Sequence, residues 1–186
     1  MTQVTRQQVI ISGVGGQGVL FVTRLLAEAA INKGLPVFTS ETHGMAQRGG
    51  TVLSHFKVGD FSSPLIRPRQ ADILILLKAE NLKQHGNFLR AGGWAVSNAA
   101  EDLDADFPEL VKTIDADTLA QDIENPKAVN LIVLGFALAT AERAAADDKQ
   151  LFCSVEDIKS VLKNRFGKNQ KMLDASLKAL ETGYEA

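Results

Sequence analysis

Two hydrophobic periods alternate along the first half of the chain. Gln8–Ser12 is a short β-branched run that stops at glycines, the pattern of a buried strand. Val19–Lys33 then sets Val19, Val22, Leu26 and Ala29 at helical spacing, with Arg24, Glu28 and Asn32 between them. Gly34 ends this amphipathic helix, and Pro36–Ser40 reads as a second strand. Residues 8–40 therefore predict one βαβ unit whose strands form a parallel pair. The pattern then changes. Residues 41–50, ETHGMAQRGG, carry no helical stripe, and Thr51–Val58 places Val52, Ser54, Phe56 and Val58 on one face. A strand that follows a loop with no crossover helix pairs antiparallel, so a mixed sheet is expected.

Gly59-Asp60 predicts a turn. Ser63–Pro68 predicts an extended segment, because the residue before each proline is driven out of the α region. Ile73–Leu77 is a continuous apolar run suited to a central strand, and a helix is expected over about Ala79–Arg90, closed by Gly92-Gly93. Trp94–Ser97 and Val111–Ile114 read as strands, Asp117–Ile123 as a short helix, and Val129–Ala146 as a helix packed on the sheet or on a partner. Ser154-Val155-Glu156-Asp157 has the capping-box pattern for a helix reaching Phe166; Gly167 ends it, and Gln170–Gly183 forms the last helix. The expectation is a single domain, 1–186, of the α/β class: three layers, α/β/α, with a mixed, mainly parallel central sheet, a Rossmann-like start and a C-terminal helical segment at 151–186.

Composition narrows the chemistry. A chain of 186 residues, 45% hydrophobic, buries roughly 70% of its unfolded surface and needs no metal or disulfide to fold. Twenty basic against twenty-two acidic residues, without a basic stripe, argue against nucleic acid. One cysteine, Cys153, excludes an internal disulfide and cannot supply the thiolates of an iron–sulfur cluster. The N-terminal residues lack an apolar core of the signal-peptide kind. The longest uncharged apolar stretch, Ala128–Ala141, is well short of the ~20 residues that span a bilayer. A cytoplasmic protein is expected.

Gly13-Val14-Gly15-Gly16-Gln17-Gly18 satisfies G-x-G-x-x-G between a strand and a helix, where backbone N–H groups can meet a phosphate. Glu41 stands near the place of a ribose-binding acid. Val19-Leu20 occupies the positions that nucleotide hydrolysis gives to Lys and Ser/Thr, which disfavours that chemistry. The plainer reading is that these glycines serve a tight turn and close packing, although Gln17 suits a polar partner. The loop ETHGMAQRGG is long for its place between two strands, and Arg48 beside Gly49-Gly50 could present a guanidinium and free amides to a phosphate, a carboxylate or a partner's backbone. His43, His55 and His85 show no metal spacing and read as surface or loop histidines. No nucleophile elbow accompanies Ser40-Glu41-Thr42-His43, and Cys153 reads as a small packed hydrophobe.

GVGGQGVL at 13–20, HGMAQRGGTVLSH at 43–55 and SPLI at 63–66, in this order, resemble the gamma-type subunit of 2-oxoacid:ferredoxin (acceptor) oxidoreductases. The form HGMAQRGG looks most like the small subunit of indolepyruvate oxidoreductases. The resemblance implies a subunit, not self-sufficient, of an assembly that oxidatively decarboxylates a 2-oxoacid to an acyl-CoA and reduces ferredoxin. Thiamine diphosphate, magnesium and [4Fe–4S] clusters would come from thiamine-binding and iron–sulfur partner subunits, with ferredoxin reached through them and no cofactor held by this chain. The subunit would pack on the thiamine-binding subunits and help cover the coenzyme A region. By position, Gly15, Gly16, Gln17 and Gly18, then His43, Met45, Gln47, Arg48, Gly49 and Gly50, and Ser63 and Pro64 carry the family's motifs as ligand or partner contacts. No catalytic residue or metal ligand is assigned. The glycine and Arg48 loops are expected to form one polar rim at the carboxyl edge of the sheet. Two readings compete: a self-sufficient NAD(P)-binding reductase using the Gly13–Gly18 loop and Glu41, and a purely structural scaffold subunit.

Overall fold

The computed structural model describes residues 6–43, 50–101, 103, 111–144 and 150–186, with the backbone alone at His43. Along the described chain run β1 (Gln7–Val14), α1 (Val19–Asn32), β2 (Val37–His43), β3 (Thr51–Val58), β4 (Ala71–Leu76), α2 (Asn81–His85), β5 (Leu89–Asn98), β6 (Val111–Ile114), α3 (Ala116–Asp122), α4 (Val129–Arg143), α5 (Val155–Phe166) and α6 (Gln170–Glu185). The sheet order is β2-β3-β1-β4-β5-β6; β3 runs antiparallel to both neighbours, and β1, β4, β5 and β6 are mutually parallel. A mixed, mainly parallel sheet between helices is the expected three-layer α/β/α class.

The opening βαβ unit needs one correction. β1 and β2 point the same way, but β3 lies between them, so they form no pair. The β2–β3 connection carries no crossover helix, so β3 must return antiparallel, and the β1–α1–β2 crossover leaves a gap one strand wide that it fills. A second correction concerns Gly92-Gly93. The helix after β4 ends at His85, a 3₁₀ turn spans Gly86–Phe88, and both glycines lie inside β5. There the β4–β5 register shifts between Ala71 and Ile73, and a side chain on Gly93 would press on the carbonyls of Ala71 and Asp72. Glycines that look like a helix stop serve a strand irregularity.

Strand alternation sorts the core onto two faces. Val9, Ile11, Phe56, Ile73, Ile75, Trp94 and Val96 point to α1, α3 and α4, with α5 and α6 packed further out. Ile10, Leu74, Leu76 and Ala95 point the other way, where Leu82 of α2, Leu89 and Ile66 cover them. The outer helices are locally specified: Ser154 and Asp157 form the capping box of α5, and Asn169 caps α6. α4 and α6 approach closely because Gly135 and Gly183 have no side chain; a Cβ on either would strike a backbone carbonyl of the opposite helix.

Candidate functional site

The chain leaves β1 at Val14 and turns through Gly15–Gly18 into α1. Gln17 builds this turn from within. Its amide N–H donates to the Val14 carbonyl (3.1 Å), its Oε1 accepts from Val14 N–H (2.8 Å), and its Nε2 donates to the Leu77 carbonyl just past β4 (3.3 Å). The side chain ties two strand ends together, so its polar atoms face the protein rather than a ligand. Asn98, at the end of β5, braces the same edge: Nδ2 donates to the Leu77 carbonyl (3.3 Å) and to the Asp117 carboxylate (2.8 Å), while Oδ1 accepts from Ala116 N–H (3.0 Å). Gly18 caps α1 with φ 84, a left-handed conformation, and a side chain there would run into the Asn130 amide at the start of α4. Gly15 and Gly16 are exposed, with open space around Gly16.

Gly50 and Thr51, which follow the rest of the second motif, lie at this place. Val14 pairs with Thr51, and Gly15 N–H donates to the Gly50 carbonyl at 3.0 Å. Gly15, Gly16 and Gly50 thus share one rim, with Gln17 holding it from beneath. Met45, Gln47, Arg48 and Gly49 lie outside the described residues, and His43 is placed by its backbone pairing with Val52. Ser63 and Pro64 are elsewhere. Their segment leaves β3 at the opposite edge of the sheet and folds over the α2 face, where Ile66 N–H donates to His55 Nδ1 (3.2 Å).

Two histidines are not the surface residues that the sequence suggests. His55 is buried on β3, edge-on to Phe88 with 5.7 Å between ring centroids, and His85 is half-buried on α2. His85 Nδ1 lies 2.9 Å from Ser12 Oγ, which also accepts from Asn81 Nδ2 (2.6 Å); Thr51 Oγ1 donates to Gln84 Oε1 (2.9 Å). Asn81, Gln84 and His85 therefore pin α2 to the end of β1 and the start of β3. The signal for them was their i, i+3, i+4 spacing on one helical face. Burial holds both histidines below the ordinary value, and for His55 the nearby Lys57 and His85 add to it.

Glu41 is exposed on β2, opposite Ser54. With β3 interposed, β2 is about 10 Å from β1, whereas a ribose-binding acid belongs on the strand beside the glycine loop. The geometry thus disfavours the reductase reading. Cys153 is buried, its thiol pushed up to about 12 by burial and then by the Asp157 charge. Among the described residues no three His, Cys, Asp or Glu side chains group together as a metal site, and no helix is long and apolar enough to cross a membrane.

With this geometry in place, comparison with known proteins is decisive. The profile of the pyruvate ferredoxin/flavodoxin oxidoreductase family matches residues 8–186. The chain belongs to this family. The indolepyruvate oxidoreductase subunit IorB of Archaeoglobus fulgidus is 30% identical, with 96% of this chain and 94% of that one aligned. Pyruvate oxidoreductase subunit PORC of Thermotoga maritima superposes with a TM-score of 0.75 at 23% identity, over 97% of this chain and 96% of that one. The 2-oxoglutarate:ferredoxin oxidoreductase of Magnetococcus marinus, solved with 2-oxoglutarate, coenzyme A and succinyl-CoA bound, gives 0.78 at 22% identity. It covers 98% of this chain but only 31% of that longer one. At such identities the two structures speak for the fold. The Magnetococcus protein holds this fold within a larger polypeptide.

Proposed function

We propose that this chain is the small, non-self-sufficient subunit of a 2-oxoacid:ferredoxin oxidoreductase, acting as one domain in an assembly that converts a 2-oxoacid to an acyl-CoA. One observation carries the reading: the family match spans residues 8–186, and a relative of similar length is itself named a subunit of indolepyruvate oxidoreductase. The chain's composition agrees. A [4Fe–4S] cluster takes four thiolate ligands, and this chain has one cysteine, buried among apolar side chains. Electron transfer therefore belongs to iron–sulfur partners, and decarboxylation to thiamine-binding partners that hold thiamine diphosphate and magnesium. Indolepyruvate or another aryl or branched 2-oxoacid is the substrate class, and the cytoplasm the compartment.

The rim of Gly15, Gly16 and Gly50 is this chain's contribution. Its exposed backbone sits at the N-terminus of α1, where a positive partial charge favours an anionic group. With Arg48 and the rest of its loop, the rim covers the coenzyme A region and faces the thiamine-binding subunit. His43, Met45, Gln47 and Gly49 extend the same contact, and Ser63 and Pro64 make a separate contact on the α2 face.

Coexpression with the companion subunits, followed by 2-oxoacid-dependent ferredoxin reduction at varied coenzyme A, tests this reading. Arg48→Ala should raise the KM for coenzyme A or weaken assembly about tenfold, the effect of losing one charge-assisted contact, and leave the melting temperature unchanged. Unchanged kinetics and assembly would refute the rim. A pure scaffold would show assembly loss with an unaltered KM, and tight NAD(H) binding by the purified chain would restore the reductase.

A further inference from the structure

On the α2 face, at the end of the sheet away from the glycine rim, positive charge accumulates, and among the described residues no carboxylate forms an ion pair with Arg6, Lys57 or Arg67. Lys57, one residue from the end of β3, is only 6% exposed. Among the described residues its ammonium makes no hydrogen bond and no ion pair; it lies 4.9 Å from the ring centroid of Phe61. The Arg6 guanidinium sits over the same ring at 4.3 Å, and Arg67 adds a third cation. Burial first, then Arg6 and Arg67, hold the Lys57 ammonium below the usual lysine value. Asp72 is already committed, to Arg90 (2.5 Å) and to Gln8 N–H (2.7 Å).

Cations gathered this closely repel one another, so the cluster gains from a carboxylate supplied by another molecule. The surroundings favour a polypeptide as its source. Phe38, directly opposite Lys57 on the edge strand β2, is 39% exposed, and Leu65 is 53% exposed. Aromatic and arginine side chains around a shielded charge are the composition of an interface centre, whereas small-anion sites gather backbone N–H groups.

We propose that Arg6 and Lys57 at the Phe61 ring, with Arg67 near Lys57 and flanked by Phe38 and Leu65, receive an acidic segment of a partner subunit. This surface is separate from the glycine rim and rests on the subunit reading above. The test coexpresses the full chain with the companion subunits of its oxidoreductase and measures affinity at low and high salt. The double variant Arg6→Glu, Arg67→Glu changes exposed side chains only, and it should weaken assembly by on the order of tenfold or more and remove most of its salt dependence. Lys57→Met should weaken assembly while leaving the melting temperature equal or higher, a sign that a merely structural lysine would not give. Variants that assemble like the wild type overturn this surface alone. A wild-type chain that joins none of the companions overturns the subunit reading and the surface with it.

Discussion

On one face of the sheet α1, α3 and α4 cover Val9, Ile11, Ile73, Ile75 and Val96, with α5 and α6 packed outside them; on the other, α2 has five residues and extended segments do the rest. The thick face is mainly apolar, with Thr23 and Ser54 hydrogen-bonded to each other within it. The thin face buries Ser12, His55, Lys57 and Asn81 beside Ile10, Leu74 and Leu76. Apolar packing resists unfolding without regard to partners, whereas buried polar groups stabilise only while each keeps its own partner. The thick face thus carries the fold, and the thin face holds polar groups such as Ser12, His55 and Asn81 whose stabilising effect depends on partners within the chain.

The comparison breaks most sharply at the α4–α6 crossing. Gly183→Ala drives a methyl group into the Ile132 carbonyl and should cost about 3 kcal/mol in urea unfolding, the upper range for overpacking. A loss below about 1 kcal/mol would mean that the thick face yields and is not the rigid half. Next in size, Ser12→Ala on the thin face leaves Asn81 Nδ2 without its acceptor and should cost about 1–3 kcal/mol. Adding Asn81→Leu should recover part of that loss, because both polar partners are then gone; an additive double variant would remove the hydrogen-bond explanation.

A smaller effect is expected from pH. His55 and His85 have folded values below the ordinary 6.5, so on acidification the unfolded chain takes up protons first. Stability should be flat above about that value and fall as pH drops below it, and His55→Asn should flatten the slope; equal slopes in the two proteins would exclude His55. The smallest effect is at Cys153, where burial keeps the thiol protonated up to about 12. A thiol reagent at mildly alkaline pH should label the unfolded chain and leave the native one almost untouched. Rapid native labelling would show that the thick face opens locally.

Much of this architecture was legible from neighbours in the chain. The alternation of Thr51–Val58, the helical stripe from Val19, the capping box at Ser154 and the glycine turn into α1 each depend on a few adjacent residues, and all occur as read. Gly50, the last residue of HGMAQRGG, meets Gly15 at one edge of the sheet. The misreadings have a common cause. Gly92-Gly93 resembles a helix stop in sequence and becomes a strand irregularity only beside β4, and the part Gln17 plays in the turn shows only once Leu77 arrives to accept from it. His55 and His85 are polar letters in the chain, and they are buried and half-buried respectively because Phe88, Ser12 and the segment carrying Ile66 close over them. Periodicity reports which face of a strand is apolar, but strand order is decided by which sheet edge is free when a segment returns. The insertion of β3 between β1 and β2, which moves Glu41 away from the glycine loop, and the gathering of Arg6 and Lys57 at the Phe61 ring therefore belong to the tertiary structure alone.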